Sequence, residues 1–255
     1  MEPDKLIEIA RYDARAVAQM SQSALATESL LGSCAMAAYL REPYQYYESS
    51  IAGLLSPGCK VLELGSGTGA HTRALLQTGA QVMASDISPN SLSLLRQRLS
   101  STYENLMTAT ADIENLPFDV NSFDVIACAG SLSYGDPKMV DSEIRRVLRP
   151  GGSLICVDSL NHNPIYRFNR WMHYLRGNRS KTTLKRMPDL NRIKALGFGF
   201  SDVHVEYFGS LTFAMPMVAS LVGDNIAQTV SDQFDRWIDV RRSAFKFVLV
   251  AQRLS

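Results

Sequence analysis

The residues best suited to chemistry begin with a glycine-rich turn in this 255-residue chain. The apolar run Val61-Leu62-Glu63-Leu64 leads directly into Gly65-Ser66-Gly67-Thr68-Gly69, and helix-forming residues follow. Glycines at this spacing let a ligand approach the backbone closely, because a Cβ atom would block the way. The turn alone leaves several readings open: it also satisfies the looser dinucleotide pattern GxGxxA through Ala70, and a tight turn can exist without any ligand.

Glu63 lies at the end of the first predicted strand, just before the glycine turn. Two further acidic residues lie at the ends of the next two predicted strands. Asp86 ends the second strand, 21 residues after Gly65, where a carboxylate can accept hydrogen bonds from two ribose hydroxyls. Asp112 follows the third strand, where its carboxylate can accept a hydrogen bond from an exocyclic amine, and Ile113 beside it can pack on a purine. Open α/β sheets place ligands beyond the carboxyl ends of their strands, so these groups are expected at one site.

The elements that must position these residues alternate between short apolar runs and helices. Near-continuous apolar runs are typical of a parallel sheet covered on both faces, and they predict five strands: 61–64, 81–85, 106–111, 123–128 and 153–157. Ser88-Pro89 and Asp136-Pro137 are helix start signals, and 149–152 (RPGG) ends the second of these helices. Two last strands are predicted around 203–207 and over 244–251.

This order predicts an α/β fold with a doubly wound, mostly parallel, seven-stranded sheet. We expect a helical segment over 1–56, which forms a cap on the site, and a Rossmann-like catalytic domain over 57–255. Two insertions are expected in that domain, over 159–187 and 210–242; the second is largely helical, and a helical insertion or lid is expected. Tyr39, Tyr44, Tyr46 and Tyr47 of the first segment are candidates for covering the site or for core packing.

At these residues the chain resembles the class I S-adenosylmethionine-dependent methyltransferases. The resemblance covers roughly 57–158 and rests on VLELGSGTG (61–69), Asp86, ADIENLPF (111–118), FDVIACAGSLSY (123–134) and LRPGG (148–152). It implies an S-adenosylmethionine site in which Glu63 and the glycine turn hold the amino-acid end of the cofactor. The implied site residues are Glu63, Gly65, Ser66, Gly67, Asp86, Ile87, Asp112, Ile113 and Ala129. Nicotinamide binding by an oxidoreductase is the rival, but it gives Asp112 no function.

Composition limits the partners and the compartment. With 26 Lys+Arg and 25 Asp+Glu the net charge is +1, which argues against a globally basic nucleic-acid binder. Four scattered cysteines without a CxxC pair indicate buried thiols in a reducing compartment. No secretory signal and no membrane-spanning run is recognised, so we expect a cytoplasmic protein. Its oligomeric state stays open.

The acceptor is suggested by a local charge asymmetry. The stretch 159–187 holds seven Lys and Arg residues interleaved with aromatics and contains no Asp or Glu. Such a segment suits an anionic acceptor, an anionic membrane surface for peripheral contact, or only a solvated helix face. Together with 232–251, it resembles methyltransferases of bacterial surface-polysaccharide (O-antigen or capsule) biosynthesis. That resemblance implies a sugar hydroxyl on a nucleotide- or lipid-linked intermediate as acceptor; a quinone, polyketide or amine is the alternative.

A sugar hydroxyl is a poor nucleophile, so a general base is expected. Asp158 closes the fifth strand and His162 lies four residues later, and we predict that one of them removes the hydroxyl proton. A loop-capping role for Asp158 and a structural role for His162 are the alternatives. The spacing of potential ligands matches no strong metal motif, and we predict a metal-free reaction.

Overall fold

A computed structural model describes residues 3–22, 33, 36–175, 180–237 and 240–255. Its centre is a seven-stranded sheet in the order β3-β2-β1-β4-β5-β7-β6, in which β7 runs antiparallel to both of its neighbours. The strands are β1 Lys60–Leu64, β2 Gln81–Asp86, β3 Leu106–Thr110, β4 Phe123–Ala129, β5 Leu148–Ser159, β6 Phe200–Phe208 and β7 Lys246–Arg253. The predicted doubly wound, mostly parallel sheet is confirmed.

Ten α-helices belong to the described ranges: α1 Pro3–Gln22, α2 Glu42–Leu54, α3 Thr72–Leu76, α4 Pro89–Leu99, α5 Pro137–Val147, α6 Pro164–Leu175, α7 Lys181–Arg186, α8 Leu190–Leu196, α9 Met215–Val222 and α10 Asp224–Trp237. Helix α4 begins after Ser88, whose hydroxyl accepts the Ser91 N–H, and α5 begins after Asp136. Both sequence start signals therefore act as side-chain caps. No helix within the described ranges is long and apolar enough to cross a membrane.

The sheet is covered on both faces, which explains the unbroken apolar runs of its strands. On one face, Val140 and Ile144 of α5 pack with Leu196 of α8. On the other face, Ile51 of α2 and Leu92 of α4 belong to the second buried cluster, together with side chains of α3. The residues between the strands thus form the crossover helices that bring the carboxyl ends of β1, β2, β3 and β4 to one edge.

Two strand boundaries differ from those expected. Strand β5 begins at Leu148 instead of Ser153, because the RPGG segment continues the strand after α5 instead of forming a separate turn. Strand β7 covers Lys246–Arg253 instead of 244–251, since residues 240–242 form a short 3₁₀ turn ahead of it. Cys128 and Cys156 are buried, Cys59 is partly exposed, all three are free thiols, and Cys34 lies outside the described residues.

An ion pair ties α8 to α5 beneath the sheet. The Arg192 guanidinium donates two hydrogen bonds to the Asp141 carboxylate, at 2.7 and 2.6 Å, and both side chains are about nine-tenths buried. Replacing Arg192 by methionine is expected to cost about 3 kcal/mol, because the Asp141 carboxylate is left buried without its partner. Urea unfolding measures this cost. The double variant R192M/D141L should recover much of it, and equal stability of R192M and the parent would contradict the prediction.

Candidate active site

A cavity of about 380 Å³ lies at the carboxyl ends of β1, β2, β3 and β4. All nine residues implied by the sequence border it: Glu63, Gly65, Ser66, Gly67, Asp86, Ile87, Asp112, Ile113 and Ala129. The opposite walls come from α1 and from the segment around α7, which contribute Glu8, Tyr12 and Arg15 on one side and Thr183 and Arg186 on the other. The cofactor residues predicted from separate stretches therefore meet at a single site; their individual binding roles stay predictions.

The glycine turn leaves β1 in a left-handed conformation. Gly65 has a φ of +66°, and Gly67 a φ of +54°, values that side-chain-bearing residues rarely adopt. A Cβ on Gly65 would stand 2.5 Å from the Ser131 Cβ, whereas the space beside Gly67 is open. The turn is held by the Ser66 N–H, which donates to the Ser85 carbonyl at 2.9 Å. Close approach of two backbone segments, and not only room for a ligand, thus requires the first glycine.

Substitution of Gly65 by alanine is expected to destabilise the protein by at least about 2 kcal/mol, because the methyl group both meets Ser131 and occupies a left-handed backbone position. Thermal unfolding tests this. Gly58 is the matched control, since its φ is also positive at +82° but no atom lies within 4 Å of its would-be Cβ. A Gly58→Ala change should therefore cost less than Gly65→Ala; the reverse order would contradict the steric argument.

Asp86 organises the turn as well as facing the cavity. Its carboxylate accepts the Gly67 N–H and the Ser88 N–H, both at 2.8 Å. Burial raises the pKa of Asp86, and these backbone hydrogen bonds oppose that rise. The same side chain therefore fixes the glycine turn and presents acceptor capacity to hydroxyl groups of a ligand.

Glu63 is a buried carboxyl at the base of the cavity, only 2% exposed. The Thr72 hydroxyl donates to it at 2.6 Å. Burial, with a smaller contribution from the Asp86 charge, raises the pKa of Glu63 to about 7, although the Thr72 hydrogen bond acts in the opposite direction. A carboxyl of this kind is poised to receive a positively charged group, whose charge would favour the ionised form.

Asp112 is already engaged from the helical cap. The Lys5 ammonium of α1 donates to Asp112 Oδ2 at 2.6 Å and also contacts the Glu114 carboxylate. Arg186 of α7 lies 3.6 Å from the other Glu114 oxygen. These contacts hold α1 and α7 across the cavity, so the cap is built from α1 and α7.

The donor and acceptor set fits S-adenosylmethionine. The Ser66 hydroxyl oxygen is buried at the cavity wall and has no hydrogen-bond partner, as expected of a group that awaits a polar ligand. Carboxylates for ribose, amine and ammonium groups stand at the strand ends, and the open side of Gly67 leaves room beside the turn. Within the described ranges no group of three or more metal-ligating side chains occurs.

The two predicted general bases lie outside the cavity wall. Asp158 is 3% exposed, and its carboxylate accepts the N–H groups of Leu132 and Ser159, at 3.1 and 2.6 Å. Burial raises the pKa of Asp158, while Lys246 lowers it. His162 is exposed on the loop before α6. The Asp158 carboxylate thus binds backbone N–H groups near the ends of β4 and β5, as the loop-capping alternative predicted. A role as general base stays a prediction for both residues.

The cavity wall also holds residues beyond the nine implied ones. None of the four candidate tyrosines of 1–56 borders the cavity; Tyr12 of α1 does, and its hydroxyl contacts that of Tyr134, which follows β4. His71, at the start of α3, also lines the wall. Tyr12 belongs to an amphipathic helix whose placement no local pattern specified, whereas Tyr134 lay within the recognised motif.

Comparison with known proteins gives the class. Residues 62–156, less than half of the chain, match the family model described as a methyltransferase domain. An uncharacterized methyltransferase of Mycobacterium tuberculosis is 39% identical over 127 residues, which cover 49% of this chain and 51% of that protein. A demethylmenaquinone methyltransferase of Clavibacter sepedonicus is 37% identical over 112 residues, covering 43% and 45%. The chain thus spans about half the length of the curated relatives it matches.

The fold is shared with solved methyltransferases. Phosphoethanolamine N-methyltransferase 2 of Haemonchus contortus, solved with S-adenosyl-L-methionine, superimposes with a TM-score of 0.61 at 18% identity, covering 83% of this chain and 53% of that one. The likeness shows that the chain has the fold of these methyltransferases, and residues 62–156 match a methyltransferase domain. The family match over 62–156 and the shared fold support the predicted enzyme class and cofactor.

Proposed function

We propose that this protein transfers a methyl group from S-adenosylmethionine to a hydroxyl of a sugar on a nucleotide- or lipid-linked glycan intermediate, in the cytoplasm. The observation that carries the methyltransferase part is the single cavity on which all nine implied cofactor residues converge. When bound, the cofactor supplies a methyl group already activated by its sulfonium centre. The protein's task is then to orient both ligands and to exclude water.

The described side chains divide that task. Asp86 and Asp112 present carboxylates to the adenosine part, and Glu63 presents one to the ammonium group. Helices α1 and α7 close the opposite wall through Lys5 and Arg186, which limits access of water. The acceptor loses its proton on methylation, and Asp158 or His162 remains our proposed acceptor of that proton.

The proposal of a polar, anionic acceptor is supported by the wall that α1 and α7 form. Glu8, Arg15 and Thr183 line it, while the Arg186 guanidinium on the same wall already lies 3.6 Å from Glu114. Guanidinium groups suit phosphate, and the hydroxyl and carboxylate groups suit a polyhydroxylated ring. Of the basic stretch, Arg170 instead donates to the Leu160 carbonyl at 2.6 Å, so it supports the fold.

A lipid-linked acceptor would bring the protein to a membrane surface. Phe168 is 62% exposed and Trp171 45% exposed on α6, beside the exposed Arg167. Aromatic and cationic side chains together favour peripheral contact with anionic lipid. This contact belongs to the proposal of a lipid-linked substrate and is tested with it.

A quinone is the second candidate acceptor, favoured by the demethylmenaquinone methyltransferases among the relatives. The two are separated by incubating the protein with labelled S-adenosylmethionine and either nucleotide sugars, lipid-linked sugars in anionic vesicles, or demethylmenaquinone. Mass spectrometry should show a gain of one CH₂ on a sugar acceptor. Methylation of demethylmenaquinone alone would replace the glycan proposal, and absence of S-adenosylmethionine binding would overturn both.

The base proposal has its own measurement within that assay. Asp158→Ala and His162→Ala are compared for turnover and for cofactor affinity. Loss of turnover with near-parent cofactor affinity in one of them supports that residue as the base. Unchanged turnover in both removes the two residues from the mechanism.

A further inference from the structure

His71 borders the cavity and pairs with Glu48 behind it, a pair that the proposed function has not used; their side chains are 9% and 24% exposed. The His71 side chain lines the cavity and is 8% exposed as a residue. Its Nδ1 is buried and lies 3.5 Å from Glu48 Oε1, an ion-pair distance instead of a well-formed hydrogen bond. The Tyr44 ring stacks on the imidazole with ring centroids 4.9 Å apart and an interplanar angle of 1°.

The pair is held in place from the side of Glu48. The Ser33 hydroxyl donates to Glu48 Oε2 at 2.7 Å and the Ser33 N–H to Oε1 at 3.0 Å. Burial opposes ionisation of Glu48, but the contacts with His71 and Ser33 outweigh it and lower its pKa. A fixed carboxylate behind Nδ1 favours a proton on that nitrogen. The other nitrogen, Nε2, has no hydrogen-bond partner among the described residues and is not fully buried, and the His71 side chain borders the cavity.

His71 stands at the end of the cavity where Glu63 lies. It directly precedes Thr72, whose hydroxyl donates to Glu63 at 2.6 Å. The amino-acid end of S-adenosylmethionine carries an ammonium and a carboxylate. Glu63 complements only the ammonium, so the carboxylate needs a donor or a cation at the same end.

The glycine turn offers few free donors for that carboxylate. The N–H groups of Ser66, Gly67 and Gly69 are already donated within the protein, to Ser85, Asp86 and Ser66. Of the cations on the wall, Lys5 and Arg186 face Asp112 and Glu114. The exposed Arg15 is the remaining Lys or Arg side chain on the described cavity wall, and His71 lies on that wall as well.

We propose that His71, held by Glu48, donates from Nε2 to the carboxylate of S-adenosylmethionine, with the buried Ser66 hydroxyl as its second donor. The stacked Tyr44 ring fixes the plane of the imidazole and thereby the direction of its Nε2. The Lys246 ammonium lies on Tyr44 as well, 4.8 Å from its ring centroid, so its charge also acts on this stack. Glu48 acts here as a positioning residue. The inference rests on the proposed use of S-adenosylmethionine.

Calorimetry with two ligands tests the proposal on the intact protein. S-adenosylmethionine is compared with its decarboxylated analogue, which keeps the adenosine, sulfonium and ammonium groups. The parent is expected to prefer S-adenosylmethionine by about 10- to 100-fold, the range for a charge-assisted hydrogen bond. His71→Leu should lose most of this preference, and His71→Gln, which keeps a neutral donor, should retain part of it.

The preference is a ratio measured on one protein, so general damage to the fold cancels. Glu48→Gln should lower the ratio, and the double variant E48Q/H71L should be no worse than H71L if Glu48 acts only through His71. His204→Leu is the matched control, because His204 is exposed on β6 away from the cavity.

Several results would overturn the inference. An unchanged ratio in H71L would do so, and so would an equal loss of affinity for both ligands in H71L. A third such result is a preference that is lost in Arg15→Gln but retained in H71L. Failure of the parent to bind either ligand would instead remove the proposed cofactor, and so would be distinguished from failure of the His71 assignment.

Discussion

Replacing Asp86 by alanine is expected to weaken S-adenosylmethionine binding at least about 100-fold, equivalent to about 3 kcal/mol. The change removes two things at once. It takes away the proposed ribose acceptor, and it frees the Gly67 and Ser88 N–H groups that the carboxylate holds at 2.8 Å. Charge-assisted hydrogen bonds of this kind are among the strong ones in proteins. Calorimetry on the purified variant measures the loss.

Two companion variants separate the causes. Asp86→Asn keeps the shape of the side chain but replaces one acceptor oxygen by an amide donor, so it should fall between the parent and the alanine variant. Asp119→Ala removes an exposed carboxylate outside the cavity and should bind like the parent. Near-parent affinity of the Asp86→Ala variant would refute the role assigned to this residue.

Glu63 is expected to make the ligand-free protein less stable as the pH rises. Its pKa is about 7 in the folded chain, against an ordinary value of 4.5. Between these values the unfolded chain has released the proton while the folded chain still holds it. The free energy of unfolding therefore falls as the pH rises. The difference corresponds to about 3 kcal/mol, fully expressed above pH 7 and absent below about pH 4.5.

The Glu63→Gln variant should therefore gain stability over the parent at pH 8 and show little difference at pH 5. Urea unfolding at the two pH values measures this, and the exposed Glu104→Gln serves as the control without a pH-dependent gain. Cofactor binding should change in the opposite direction. An ionised Glu63 is needed for the ammonium group, so parent affinity should rise between pH 6 and pH 8, whereas the variant should bind weakly throughout. An equal stability difference at both pH values would contradict the assignment.

These two residues show why much of the site was readable in advance. Glu63 and Asp86 belong to short strands whose buried, apolar texture marks them in the sequence, and parallel strands bring their carboxyl ends to one edge. The position of each acidic group is therefore fixed by local pattern and by the general geometry of the fold. The same reasoning placed Asp112 and Ile113 on the cavity wall, and the family resemblance implied Ala129; the structure has all three there.

The cap was only partly readable. Helix α1 was expected as helical, but its packing against α4 and the ion pair of Lys5 with Asp112 join segments 107 residues apart. Helical periodicity predicts that a face is buried and does not specify its partner. For the same reason Tyr39, Tyr44, Tyr46 and Tyr47 were candidates both for covering the site and for core packing. Tyr12 lines the cavity instead, and Tyr47 is buried in the core.

The sequence by itself determined the order of strands and helices, the glycine turn, and the acidic residues at the strand ends, because each depends on neighbours within a few positions. Only the tertiary structure decided which distant groups face them. It engages the Asp158 carboxylate with the Leu132 N–H, and it sets Glu48 behind His71. Such pairings depend on how α2 and the helical cap pack on the sheet and on how the segments after β4 and β5 lie beside each other. Long-range packing of that kind leaves no periodic signal along the chain.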